Sequence, residues 1–297
     1  MRHQSLFTAF ALSLLPTVIA NAGPMLIFST GDPDGRMAMA SRPASTGEFE
    51  IETADDFVLT QGASISGASF IGLLTNQASP SSLLSVSVEI YRVFPLDSDL
   101  TRTSGPASFS TSSVPTRVNS PADVAFDSRD SNSASLSFSS TLLTPSFTTL
   151  NSIQAGGIQP TPNQTTGGNG PITGQEVQID VTFDTPIDLA AGHYFFVPQV
   201  EVSGIDSFLW LSAPRPISFG TGPFSPDLQA WTRDAQLDPD WLRVGTDIVG
   251  GSPAPTFNGA FSLLATTVDE PESTALIGIA LLALAIAKNR ERPRLVI

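Results

Sequence analysis

The chain has 297 residues, 41% of them apolar and none cysteine, so it can bury a core without disulfides and has no thiol for catalysis or metal binding. Its charge is uneven: between Arg2 and a C-terminal basic cluster, nine arginines stand against 27 carboxylates, a balance of −18. Nucleic acid and other polyanions need a basic footprint, so a body this acidic excludes them as partners and favours solubility.

Residues 1–22 have the three parts of a secretory signal peptide. Arg2 and His3 form a basic start, and Leu6 to Ala20 is an apolar run. Ala20-Asn21-Ala22 then puts small residues where a signal peptidase reads, with cleavage expected before Gly23. A buried N-terminal helix fits less well, because Pro16 would kink it.

The body, residues 23–268, opens on Asp32-Pro33-Asp34-Gly35. Proline presets φ and glycine permits reversal, so this reads first as a β-turn. Phe49 to Leu59 and Ile65 to Leu74 read as strands, and Val86, Val88 and Ile90 alternate with polar neighbours in a run up to Phe94. Calcium is the one cofactor entertained, with Asp32, Asp34, Asp55 and Asp56 as candidate ligands. Pairs of carboxylates alone fall short, since the ion takes roughly six to eight oxygens.

From about 98 to 171 the chain is dense in Ser, Thr, Gly and Pro (TSGPASFSTSSVPT, PTPNQTTGGNGP). That composition predicts a long insertion between strands, with a hairpin around Ser135 to Leu143. The clearest strand follows: Val177, Ile179, Val181 and Phe183 alternate with Gln178, Asp180 and Thr182. Tyr194 to Val202, Phe208 to Leu211 and Phe257 to Ala265 are further strands. No long helical period precedes residue 270.

Catalytic signals are thin. His193 is the sole histidine once residues 1–22 are removed, and no Gly-x-Ser-x-Gly elbow supplies a nucleophile for it. The reading is therefore of a protein that is not an enzyme. Trp210 lies in an apolar strand and is expected in the core. Trp231 and Trp241 flank a polar loop and are the candidates for stacking on a sugar ring.

The tail, 269–297, is a second address. Asp269, Glu270 and Glu272 precede an uncharged apolar run, Thr274 to Ala287, and Lys288, Arg290, Arg292 and Arg294 follow it. Its 14 residues rise about 21 Å as a helix, short of the roughly 30 Å hydrocarbon layer. Snorkelling basic side chains and local bilayer thinning can close that gap. Acids before and bases after the run place its C-terminus in the cytoplasm.

Pro271-Glu272-Ser273-Thr274, the apolar run and the basic end together resemble the PEP-CTERM sorting signal of Gram-negative bacteria. Ser273 stands where that family has its second proline. The resemblance implies export, a membrane-held intermediate and processing by an exosortase-type enzyme, in a setting of secreted exopolysaccharide. Ala54-Asp55-Asp56-Phe57 and Leu189-Ala190-Ala191-Gly192-His193-Tyr194 are similar to segments of secreted β-sandwich proteins with such tails. The expected architecture is an all-β, antiparallel, jelly-roll-like β-sandwich with a short C-terminal transmembrane helix at 274–287. The expected role is that of a non-catalytic envelope or matrix protein. A lectin-like carbohydrate-binding module is the alternative.

Overall fold

The computed structural model describes residues 23–45, 47–76, 78–102, 118–158, 165–204, 207–214 and 228–267. The expected signal segment 1–22 lies outside them. So do the expected sorting tail, with Pro271, Glu272, Ser273 and Thr274, the helix expected at 274–287, and Lys288, Arg290, Arg292 and Arg294.

The chain is mostly β. In order, the strands are β1 (Met25–Ser29), β2 (Met37–Ala40), β3 (Ile51–Leu59), β4 (Ala63–Leu74), β5 (Leu83–Arg92), β6 (Asp127–Asp130), β7 (Leu136–Thr149), β8 (Asn151–Ile153), β9 (Ile172–Leu189), β10 (Gly192–Val202), β11 (Phe208–Ala213), β12 (Trp231–Asp234), β13 (Leu242–Arg243), β14 (Asn258–Gly259) and β15 (Phe261–Thr267). Among the described residues they form a nine-stranded and a six-stranded sheet. The larger runs β1-β15-β4-β11-β2-β8, with β9 on the other side of β4, β7 beyond β9, and β14 beside β11. The smaller runs β13-β12-β3-β10-β5-β6. Pairing is antiparallel except for β2 with β8. Among the described residues no helix is long and apolar enough to cross a membrane.

The period-two strands behave as their patterns require. Val177, Ile179, Val181 and Phe183 of β9 enter one core with Val86, Val88 and Ile90 of β5. That core joins the sheets: Phe196 of β10 stacks on Phe261 of β15 at 4.9 Å and 6°, and meets Trp210 of β11 at 6.1 Å. β4 keeps its apolar side inward through a register shift between Ile65 and Gly67, so that both Ile65 and Ala68 are buried. Gly72 on the same strand lets Phe208 lie close; a Cβ there would sit 2.0 Å from the ring.

The Ser/Thr-rich strip does not act as an insertion where it is described. It supplies β6, β7 and β8, and Ser135 to Leu143 is not a hairpin: from Leu136 it is the first part of β7, paired along β9 from Leu136↔Phe183 to Thr149↔Ile172. The reason is positional. Among the described residues β7 pairs only with β9, and most of its residues are exposed or half-buried, so serine and threonine serve where an inner strand would need aliphatics. Residues 103–117 and 159–164 of the strip lie outside the described residues.

Candidate functional site

The four candidate calcium ligands do not converge. Asp32 is exposed, whereas Asp34 Oδ1 accepts hydrogen bonds from Ser212 Oγ at 2.6 Å and from the Arg36 amide at 3.0 Å. Asp55 and Asp56 are consecutive on β3 and therefore face opposite ways. Asp55 Oδ2 accepts the Gly259 amide at 2.8 Å, tying β3 to β14. Asp56 Oδ1 accepts the Leu228 amide at 3.2 Å, and its Oδ2 lies 2.6 Å from His193 Nε2. Among the described residues no three His, Asp or Glu side chains gather in a way that suits a metal ion.

His193, one residue into β10 and opposite Val58, is thereby oriented by a buried carboxylate. The turn before it is closed by the Tyr194 hydroxyl, which donates to the Ala190 carbonyl at 3.2 Å. Burial raises the Tyr194 phenol above its ordinary pKa.

Trp231 and Trp241 are not stacking platforms. Both are buried, at 1% and 2% exposure, and cover the outer face of the six-stranded sheet with Ala54, Tyr91, Phe195, Val197 and Leu228. Their indole N–H groups are satisfied internally, by the Leu228 carbonyl at 2.8 Å and the Ala122 carbonyl at 3.1 Å. Of the polar residues between them, Thr232, Arg233, Asp234 and Asp240 are buried, while Gln236 and Asp238 stay exposed.

The same outer face holds a buried polar assembly. Register pairs Arg233 of β12 with Glu52 of β3. Both side chains are buried, and the guanidinium engages Glu52 through Nε to Oε2 and through Nη2 to Oε1, the latter at 3.0 Å. Arg233 Nη1 reaches Asp238 at 2.9 Å, and the guanidinium lies 4.3 Å over the Trp241 ring. Arg233 Nη2 donates to the Tyr91 hydroxyl at 2.9 Å, which itself lies 2.7 Å from Glu52 Oε1 and 2.8 Å from Glu89 Oε2. Burial, and then the adjacent Glu52 carboxylate, push the Glu89 carboxyl up to about 7, against the Tyr91 hydrogen bond that lowers it. Burial and Glu52 likewise raise the Tyr91 phenol. Burial alone would lower Arg233, but Glu52 overrides it and the guanidinium stays charged. Nothing in the sequence pattern marks this group, because its members come from three strands far apart in the chain, β3, β5 and β12, and the turn after β12.

A cavity of about 260 Å³ opens near the ends of β2, β4 and β11, lined in part by Arg42, Thr75, Asn76, Gln154, Ile172 and Phe208. Arg42 is held there by Glu48 at 2.6 Å. None of the sequence candidates lines it. No protein-family model, curated protein or solved structure matches the chain.

Proposed function

We propose that the chain is an exported, non-catalytic protein of the cell envelope or extracellular matrix, delivered by its two terminal addresses. Its body is a jelly-roll-like β-sandwich, a reading supported by the aromatic core that Phe196, Phe261 and Trp210 share between the sheets. The observation that carries the proposal is the pairing of the first described strand with the last: Met25 lies opposite Ala265. Cleavage before Gly23 leaves β1 whole, and loss of residues beyond 268 leaves β15 whole. All the described strands lie between the two addresses. An exported body needs that independence, since its leader is removed and its tail is handled by a membrane enzyme.

The tail carries the sorting: Pro271 to Thr274 is the recognition segment, the run 274–287 lodges in the bilayer, and Lys288, Arg290, Arg292 and Arg294 hold its end on the cytoplasmic side. An exosortase-type enzyme is the expected partner, and exopolysaccharide the expected surroundings. Fractionation of cells expressing the full chain and a chain ending at Val268 tests this. The full chain is expected in membrane and envelope fractions, and the shortened chain in the soluble export fraction. Identical distributions would contradict the proposal.

A further inference from the structure

The charged assembly on the outer face of the six-stranded sheet is not used by the sorting proposal, and its hydrogen-bond donors and acceptors can be counted. The Tyr91 hydroxyl has one proton and two acceptor lone pairs. Arg233 Nη2 fills one lone pair at 2.9 Å. Glu52 and Glu89 both lie within hydrogen-bond distance of the same oxygen, at 2.7 and 2.8 Å. One hydroxyl proton cannot serve two carboxylates, so one of the two must bring a proton and donate it to the second lone pair. Glu52 is gripped by Arg233 through both of its oxygens, which are thus already committed to N–H donors. The extra proton therefore belongs on Glu89.

The groups facing Glu89 agree. Glu52, and Glu50 just before β3, are the anions that raise it, while Tyr91 lies two residues along its own strand. From β6 the Ser128 hydroxyl donates to Glu89 Oε1 at 3.3 Å, whereas Asp127 and Arg129 pair with each other opposite Ile90 and Val88, on the other face. β10 offers apolar Val197 opposite Glu89, and the Gln199 amide, bound to Glu50 at 2.9 Å and to Ser87 at 3.0 Å. β12 and the turn after it bring Arg233 and Asp238. One guanidinium thus stands among Glu50, Glu52 and Asp238 before Glu89 is counted.

We propose that Glu89, Tyr91, Glu52 and Arg233 form an acid-tightened latch: protonated Glu89 joins β5 to β3 and β12 through the Tyr91 hydroxyl, and deprotonation releases that join beneath Trp241. Trp241 reads the state directly, because its ring lies 5.4 Å from Tyr91 in a T-shaped contact and 4.3 Å from the Arg233 guanidinium. Glu89 is held in its protonated form more firmly in the folded chain than in the unfolded one. Its stabilising contribution is therefore complete below the ordinary carboxyl range and is lost as pH rises through about 7.

Tryptophan emission of the purified full chain, titrated across neutral pH, tests the latch. We expect one transition with its midpoint near 7, retained in His193→Gln, absent in Glu89→Gln, and lost in amplitude in Trp241→Phe. A transition that survives Glu89→Gln, or one that disappears in His193→Gln, would overturn the proposal, as would a flat profile. Carboxyl 13C shifts of glutamate-labelled wild-type chain give a test that needs no variant. One side chain titrating near neutrality supports the latch; all glutamates titrating in the ordinary acidic range overturns it. The outcome is independent of the sorting proposal.

Discussion

The two sheets use the same alternation and finish it differently on their outer faces. On the nine-stranded sheet the outward positions along β4, β9 and β7 stay polar and partly wet, although Leu73, Leu209 and Leu211 close the same face towards β11: Ser64 donates to Asp188 at 2.6 Å, Ser69 bonds Asp180 across β4 and β9, and Thr148 meets Thr173 at 2.7 Å. On the six-stranded sheet a further layer closes over the outside, so β3 is buried almost from end to end and β10 from Tyr194 to Val200. There the outward positions hold Glu52, Asp56, Phe195, Val197 and Tyr91, capped by Trp231 and Trp241. A charge placed outward costs little on the first face and must be matched inside the molecule on the second.

That contrast can be broken at three depths. The largest effect is expected at the core both sheets share: Phe196→Ala removes the ring stacked on Phe261 and should cost roughly 3–5 kcal/mol in urea unfolding. Next is the covered face. Arg233→Met leaves Glu52 buried without its cation and should cost about 3 kcal/mol, at the low end for a broken buried pair because Tyr91 still reaches Glu52. Adding Glu52→Gln to Arg233→Met should recover part of that loss; a further loss instead would mean the pair is not the relevant unit. The smallest effect belongs to the wet face, where Ser69→Ala should change stability by about 0.5 kcal/mol, within the range of exposed cross-strand pairs. Equal costs for Arg233→Met and Ser69→Ala would erase the distinction between the faces.

The same contrast governs what could be read from the chain. β9 was legible because one face meets the core and the other meets water, and Val177 to Phe183 alternate accordingly. β5 was legible for the same reason through Val86, Val88 and Ile90. β7 was not: with β9 as its one described partner strand it needs few aliphatics, so its serines and threonines resembled linker. β12 was missed because Arg233 and Asp234 look like solvent residues, and only pairing with β3, about 180 positions away in sequence, makes their burial tolerable. Trp231 and Trp241 flank a polar stretch, as the sequence shows, but their rings are buried along with its Arg233, Asp234 and Asp240, which polarity alone does not announce. The Asp56–His193 contact depends on the register between β3 and β10, which periodicity cannot supply.

The two proposed addresses lie beyond the described strands that build either face, and the account rests on their being dispensable to the folded body. Mass spectrometry of the mature protein, recovered from envelope and medium, tests this most directly. The account predicts an N-terminus at Gly23 and a C-terminus at or near Pro271 to Thr274, with the basic end gone. A mature protein that still carries both residues 1–22 and Lys288 to Ile297 would contradict it.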